Sequence, residues 1–364
     1  MRRRTFLRNV AGVALSVPAG RAAAQQSRPS GIRLGYDSWV FNGYGWTAIQ
    51  YLDYAASQKL DTVQLSDLPN YASLEPAYLK QVKDHAQKLG IEIDGGLGCI
   101  CPTAGNWRKE NGDPVEYVRK GLRANRAAGA TMMRAFLGGR GERTGPIPLE
   151  KHVEAVLKVL RAVRSEALDL GMKIGIETHG DLLAWEVREL IEEAGRDFVG
   201  ATIDSRNPVG LAEDPMVTLE TLGPYALTTH IGDNVVYQHP RGAVTQSVAL
   251  GEGSVDYVKF FERFRQLCPR VAVNLEVLTG SPPQVVPYLE PEFWKAFPRA
   301  RASELARFVA LAKNGRPFMG AMMVAPRGER PPEYAAALKV QQRVDLERSL
   351  DYARKVLKLG LRAA

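Results

Sequence analysis

The chain has 364 residues, of which 45% are hydrophobic and 24% charged, a composition typical of a globular protein. Its formal charge is +8, but five Arg and no acid lie within the first 24 residues, so the remainder carries only +3. That remainder has no basic stripe with interleaved aromatic residues, which argues against a nucleic-acid partner.

The N-terminus has the features of an export signal. Arg3 and Arg4 begin a stretch that resembles the twin-arginine consensus, a short apolar segment follows, and residues 22–24 suit an A-x-A cleavage site. We therefore predict a signal peptide over residues 1–24, export by the twin-arginine route and a periplasmic location. The alternative is an amphipathic or disordered tail. The apolar segment is too short for a stable membrane anchor, and no other segment of the sequence is long and apolar enough.

Strand-like and helix-like segments alternate from residue 31 onward. This alternation with short connections is typical of parallel strands joined by right-handed crossovers, and eight such units predict a closed (β/α)8 TIM barrel over residues 25–280. The predicted strands are 32–36, 62–65, 91–95, 131–137, 173–177, 199–204, 227–231 and 271–277. The predicted helices, which have apolar residues three and four apart, are 47–59, 75–89, 114–128, 149–170, 182–194, 215–222 and 256–267.

Residues 281–364 form a predicted C-terminal extension. A Pro-rich loop at 281–298 precedes a helix near 303–313 and a long helix near 332–359. We interpret the extension as a helical arm that either covers the barrel or clasps a second subunit, so a homo-oligomer through these helices is one expectation.

Four of the predicted strands end on side chains that bind metals. They are Glu177, Asp204, His230 and Glu276. A parallel barrel places the carboxyl ends of its strands on one rim, so these distant residues can meet. Two Glu, one Asp and one His suit one divalent ion such as Mn²⁺, Mg²⁺, Co²⁺ or Zn²⁺. Taken singly, each has an ordinary structural alternative, such as a salt-bridged carboxylate or a hydrogen-bonded core histidine.

The order Glu, Asp, His, Glu at spacings of 27, 26 and 46, with the stretches ETHGD at 177–181 and HIGD at 230–233, resembles the xylose-isomerase-like sugar phosphate isomerase/epimerase superfamily. The resemblance implies a single ion, most often Mn²⁺, held by these four residues. It also implies that Glu177 and Glu276 act as an acid/base pair that moves a proton through an enediolate.

The sequence departs from the ketose 3-epimerase pattern at three positions. Leu183 and Val236 stand where those enzymes typically have a second Glu and an Arg, and Gln64 stands where the second strand often ends in Glu. The resemblance therefore predicts the type of reaction but does not identify the sugar.

Further candidate residues lie near the same rim. We predict substrate contacts for six residues, with hydrogen bonds to the metal ligands, solvated loops or core packing as the alternatives: His179, Asp233, His239, Arg241, Trp39 and Trp107. His239 and Arg241 fall in what we predict to be a long loop after strand seven. Arg134 and Arg206 are additional candidates at strand ends.

The expected activity is metal-dependent isomerisation or epimerisation of a small carbohydrate. A lyase or hydratase that eliminates from a 3-keto sugar or glycoside is the second hypothesis, because the same metal and base would serve it. A non-catalytic sugar-binding or partner protein is the third. Retention of both Glu177 and Glu276 argues against the third, since binding alone would not require both carboxylates.

Overall fold

Eight parallel strands form the centre of the fold in a computed structural model that describes residues 31–324 and 331–362. The first seven strands pair in chain order, and the eighth pairs with the first. A backbone bridge between Ile231 and Leu275 links the remaining two edges. The strands are β1 (Leu34–Asp37), β2 (Thr62–Gln64), β3 (Glu92–Cys99), β4 (Met132–Phe136), β5 (Lys173–Glu177), β6 (Val199–Asp204), β7 (Ala226–His230) and β10 (Val273–Leu275). The predicted TIM barrel is confirmed.

Helices surround the barrel and bury their apolar faces against it. Several begin with a side-chain cap, as at Asp113 and Asp214, whose carboxylates accept backbone N–H bonds from the first turn. The helices are α1 (Ala48–Ser57), α2 (Pro76–Leu89), α3 (Pro114–Ala127), α4 (Gly141–Thr144), α5 (Leu149–Asp169), α6 (Ala184–Ala194), α7 (Pro215–Leu222), α8 (Tyr257–Leu267), α9 (Pro291–Trp294), α10 (Ala302–Asn314) and α11 (Pro332–Lys355).

The barrel strands are apolar because they are covered on both sides. In β5 the residues Ile174, Gly175 and Ile176 are all buried, as expected for a parallel strand between a packed interior and a helix layer. A Cβ at Gly175 would lie 2.6 Å from Thr202 Oγ1, so only glycine fits the close approach of β5 and β6. This close packing fixes the position of Glu177 at the end of β5.

The region after β7 differs from the prediction. In place of a long loop, the chain forms an antiparallel hairpin of β8 (Asp233–His239) and β9 (Gly242–Val248), joined by β11 (Gln284–Val286) to give a second, three-stranded sheet. The prediction of a loop is wrong. Polar residues such as Asn234 and Gln246 interrupt the alternation of apolar and polar residues by which these strands could have been recognised. The apolar residues Val236, Ala243 and Val286 pack against α10.

The C-terminal helix α11 lies against the barrel. Leu346 and Leu350 are buried in the main core, and Ser349 Oγ accepts a bond of 2.9 Å from Leu250 N. Asp345 Oδ2 accepts a bond of 2.8 Å from Thr279 Oγ1, just after the eighth barrel strand. The C-terminal helix therefore covers the barrel, while the expectation of a homo-oligomer stays a prediction.

The predicted signal peptide, residues 1–24, lies outside the described residues, so the export route and the periplasmic location stay predictions. Across 31–324 and 331–362, no helix has both the length and the apolar character needed to cross a bilayer.

Candidate active site

The four predicted strand-end residues meet at the carboxyl rim of the barrel. Glu177 ends β5, Asp204 ends β6, His230 ends β7, and Glu276 follows β10. One ligand atom from each lies within 4.8 Å of those of the other three, and all four side chains are buried. We call these residues the rim cluster.

The His230 ring is held between carboxylates on one side and an amide on the other. Its Nδ1 lies 3.0 Å from Glu177 Oε1 and 3.7 Å from Glu276 Oε1. Its Nε2 lies 2.8 Å from Gln64 Oε1 and 3.5 Å from Asp37 Oδ2. Acceptors face both ring nitrogens, so the protonated ring donates from Nδ1 to Glu177 and from Nε2 to Gln64. A cation held at Nδ1 would take the place of the proton there.

Two buried guanidinium groups bind the carboxylates of the cluster. Arg134 donates from Nε and Nη2 to Glu177 Oε2. Arg206 Nη2 donates to Glu276 Oε2 at 3.2 Å and lies 3.9 Å from Asp204 Oδ2. Each glutamate thus has one oxygen paired with an arginine and the other directed toward His230.

Burial and neighbouring charges shift the pKa values of three residues of the rim cluster. Burial by itself raises the pKa of Glu177, but Arg134 and His230 outweigh it and hold that pKa well below its usual range. Burial raises the pKa of Asp204 to about 7, and the neighbouring Glu276 and Glu177 add to the rise against the opposing charge of Arg206. Burial opposes a charge on His230, yet Glu177, Glu276 and Asp37 raise its pKa well above the usual value.

This donor set fits a divalent cation. It offers carboxylate oxygens and one imidazole nitrogen from four separate strands, which suits the metals that prefer mixed oxygen and nitrogen ligands. Burial is the largest cause of the raised pKa of Asp204, and a bound cation would offset the cost of burying its charge. Asp204 is already oriented, because Oδ1 accepts bonds from the backbone N–H of Arg206 at 2.5 Å and of Asn207 at 2.6 Å.

A pocket of about 210 Å³ opens beside the rim cluster, and we call it the rim pocket. Its lining includes Glu276, Arg134, Asp37, Trp39 and His179. Two of the six predicted substrate contacts, Trp39 and His179, are therefore at this pocket. The His179 ring stacks on Phe136 with 4.0 Å between centroids, and its Nδ1 donates to Gly138 O at 2.7 Å.

Two other predicted substrate contacts, Asp233 and Trp107, do not line the rim pocket. The Asp233 carboxylate is buried and accepts backbone N–H bonds of 3.0 Å from both Gly251 and Gly253, so it fixes a loop. Trp107 packs edge-on against Tyr117, with 5.6 Å between centroids. Tyr117 lines the rim pocket, so Trp107 supports its wall from behind.

His239 and Arg241 lie at the turn of the β8–β9 hairpin, and the structure does not bring them to the rim cluster. Arg241 is exposed and pairs with Glu290, with 2.9 Å between Nη2 and Oε2. The backbone N–H of Arg241 donates to His239 Nδ1 at 3.2 Å. The long-loop interpretation failed here because a hairpin carries its turn residues away from the strand ends.

One residue of the site was missed in the sequence. Asp37 ends β1, is fully buried, and accepts bonds of 2.7 and 2.8 Å from Ser66 Oγ. It satisfies the same strand-end rule that identified the rim cluster, so the run Leu34–Asp37 contained the necessary signal.

The fold and the rim cluster define a TIM barrel whose candidate active site lies, as in other barrels of this type, at the carboxyl ends of its strands. The chain belongs to the Xylose isomerase-like TIM barrel family, whose model matches residues 52–297.

Among curated proteins, 3-oxo-isoapionate decarboxylase of Pectobacterium atrosepticum is 22% identical over 230 residues, covering 63% of this chain and 76% of that protein. Among solved structures, D-psicose 3-epimerase with D-tagatose from Clostridium cellulolyticum H10 is 15% identical, with a TM-score of 0.56 over 77% of this chain and 96% of the other. A xylose isomerase-like barrel from Mycobacterium smegmatis in complex with magnesium is 14% identical, with a TM-score of 0.53 over 77% and 96%. At these identities the solved structures share the fold.

Proposed function

We propose that the chain is a divalent-metal-dependent sugar isomerase or epimerase that works by proton transfer through an enediolate. The observation that carries the proposal is the convergence of Glu177, Asp204, His230 and Glu276, together with the position of Glu276 in the wall of the rim pocket. A sugar in this pocket would lie beside both the ligand set and a carboxylate base.

The four residues of the rim cluster would hold the ion, and Nδ1 of His230 is the nitrogen that faces the carboxylates. A bound divalent ion supplies positive charge that stabilises an enediolate and so lowers the barrier to removing a proton next to a carbonyl. Mn²⁺ is our first choice for its identity, with Mg²⁺, Co²⁺ and Zn²⁺ as the other possibilities.

Glu276 is the better placed of the two glutamates to move the proton. It lines the rim pocket, and its Oε2 is oriented by Arg206. Glu177 is bound by Arg134 through Oε2, and its low pKa keeps it ionised as a ligand. Trp39 and His179 line the same pocket and would exclude water from one face of the substrate.

The pairing of Arg134 with Glu177 also favours a second candidate, a lyase that expels a group from a 3-keto sugar or glycoside. Inversion at carbon requires a base on each face of the sugar, whereas elimination needs one base and charge stabilisation. A lyase would therefore function with Glu276 alone as the mobile base. The 22% identical relative, a decarboxylase by name, is consistent with carbon-bond cleavage in this family.

The proposal is tested by incubating the Mn²⁺-loaded protein in D₂O with a panel of free sugars and 3-keto glycosides, followed by NMR. Deuterium on a sugar carbon without loss of a group supports isomerisation or epimerisation, and loss of a group supports the lyase. Absence of both reactions across the panel favours a non-catalytic sugar-binding protein. Metal analysis of the purified protein should find about one divalent ion per rim cluster, as four converging ligands imply.

Glu276→Gln should lower the turnover rate by about 10²- to 10⁴-fold, the range expected for loss of a general base. Glu220→Gln, which makes the same change at an exposed position on α7, serves as the matched control and should leave turnover unchanged. Full activity of Glu276→Gln would remove the acid/base assignment.

A further inference from the structure

A larger pocket lies between the barrel rim and the hairpin sheet. Its volume is about 560 Å³, more than twice the 210 Å³ of the rim pocket. His179 lines both pockets, and Arg206, which lines the larger one, bonds to Glu276 in the smaller. We call the larger space the hairpin pocket. A single sugar ring positioned at Glu276 would leave most of it unfilled.

The polar part of one face of the hairpin sheet forms a wall of this pocket. Thr245 is directly opposite Val236 on β8 and Gln284 on β11, and Ser247 is opposite Asn234. Opposed residues of antiparallel strands, and residues two apart along a strand, project to the same face. That face therefore has an apolar part, which packs on α10, and a polar part directed to the pocket, formed by Asn234, Thr245, Ser247 and Gln284.

Two buried polar atoms around the pocket have no hydrogen-bond partner in the part of the chain that the structure describes. They are Thr245 Oγ1 and Arg206 Nε. A buried polar group without a partner is energetically costly, so such groups are usually completed by a ligand or water. Both atoms belong to residues that line the hairpin pocket, one on the sheet and one beside the rim cluster.

The lining of the hairpin pocket is mostly uncharged. Arg206 is paired with Glu276, whereas Arg140 donates from Nη2 to the backbone oxygen of Gly210 and has no acidic partner among the described residues. The lining has no Asp or Glu among its described residues, and apart from Arg140, Arg206 and the His179 ring its polar side chains are amides and hydroxyls. Amides and hydroxyls, together with an arginine donor, suit a sugar ring rich in hydroxyl groups.

We propose that the hairpin pocket is a subsite for a second sugar ring, so that the substrate is a glycoside of disaccharide size and not a free monosaccharide. The reacting ring lies in the rim pocket beside Glu276, and the attached sugar lies against Thr245, Ser247 and Asn234. The assignment of the reacting ring rests on the proposed function, whereas the second-ring subsite rests on the hairpin itself.

The experiment compares two probes that share the same reacting ring. Methyl α-glucoside and maltose, each oxidised to the ketone at carbon 3 of the non-reducing ring, are titrated calorimetrically into the Mn²⁺-loaded full chain. The wild-type protein should bind oxidised maltose at least about tenfold more tightly, which corresponds to about 1.4 kcal/mol. Equal affinity for the two probes, or binding of neither, would overturn the proposal.

Two variants at one position locate the subsite. Thr245→Trp fills the pocket and should abolish the preference for oxidised maltose, while affinity for the methyl glycoside stays within about twofold of wild type, because the clash is confined to the second ring. Thr245→Val keeps the shape and removes only the hydroxyl, so it should reduce the preference by a smaller factor. An equal loss for both probes in Thr245→Val would also contradict the subsite, and this variant remains informative if Thr245→Trp fails to fold.

Binding and turnover separate the two proposals. A preference for oxidised maltose without deuterium incorporation or bond cleavage supports the subsite and counts against the proposed chemistry. Turnover of both probes at equal affinity supports the chemistry and counts against the subsite.

Discussion

Buried carboxylates have different partners at the two ends of the barrel interior. At the amino end, Asp94 Oδ2 on β3 accepts bonds of 2.6 Å from Thr228 Oγ1 and 2.8 Å from Asn274 Nδ2. One acid there is held across the barrel by two neutral donors. At the carboxyl end, the rim cluster brings together three acids, one imidazole and two guanidinium groups.

This difference separates an arrangement that stabilises the fold from one suited to a ligand. Neutral hydrogen bonds around a single acid add modest stability, and burial raises the pKa of Asp94, which favours its uncharged form. Several acids in a buried site need cations, and two arginines neutralise only part of the charge at the rim. The following changes test this contrast, from the largest expected effect to the smallest.

Removal of Arg134 should destabilise the metal-free protein most. Arg134→Met leaves the buried Glu177 without its cation, and breaking a buried pair in this way costs about 3–5 kcal/mol. Urea unfolding measures the loss. Arg164→Met, which breaks an exposed pair with Asp197, should cost only about 0–1 kcal/mol. Equal losses of stability in the two variants would mean that Arg134 does not stabilise the buried Glu177 carboxylate.

Glu213, a buried carboxyl just before α7 with no ion pair among the described residues, should make the free energy of unfolding depend on pH. Burial raises the pKa of Glu213 from 4.5 to about 7, against hydrogen bonds from Thr218 and Ala184. Because the folded pKa lies above the unfolded one, its stabilising contribution is present below about pH 4.5 and is lost as pH rises through about 7.

Glu213→Gln should therefore become more stable relative to wild type by about 3 kcal/mol between pH 4.5 and pH 8, at about 1.4 kcal/mol per pKa unit. Denaturant unfolding of both proteins at several pH values measures the difference. A difference that stays constant with pH would show that folding does not raise the pKa of Glu213.

Added Mn²⁺ should stabilise the wild-type protein through the rim cluster. At a free concentration one hundred times the dissociation constant, binding to the folded state alone contributes about 2.7 kcal/mol. Thermal unfolding with and without chelator measures the gain. His230→Gln should lose most of it, whereas an undiminished gain in that variant would place the ion elsewhere.

Neutralising Asp94, at the amino end of the barrel, should have the smallest effect on the free energy of unfolding. Asp94→Asn keeps an oxygen that can accept from Thr228 and Asn274, so the loss in unfolding free energy should be about 1 kcal/mol or less. Turnover should remain at the wild-type rate. A loss as large as that of Arg134→Met would erase the distinction between the two ends.

The fold and the meeting of the rim cluster could be predicted because both depend on strand ends. Glu177, Asp204, His230 and Glu276 each follow an apolar run, and a parallel barrel brings such positions to one rim whatever lies between them. That these residues bind a metal stays a prediction.

Other features depend on conformations that periodicity does not encode. Arg134 was recognised as a candidate, but its bond to Glu177 depends on the side-chain conformations of two neighbouring strands. The hairpin was missed because its strands mix apolar and polar residues on one face, as Val236 and Thr245 do. Asp37 was missed although it follows the same pattern as the rim cluster.

The contact between Gln64 and His230 bears on the charge of the sugars that the site would bind. The amide is neutral, so the rim is less negative than it would be with a Glu at that position. When His230 is a neutral ligand and all four acids are ionised, as metal binding requires, four acids and two guanidinium groups leave two negative charges, from Asp37, Glu177, Asp204, Glu276, Arg134 and Arg206. A divalent ion would cancel them, and a site without net charge exerts little long-range attraction on phosphate groups. We therefore expect uncharged sugars to be favoured over sugar phosphates.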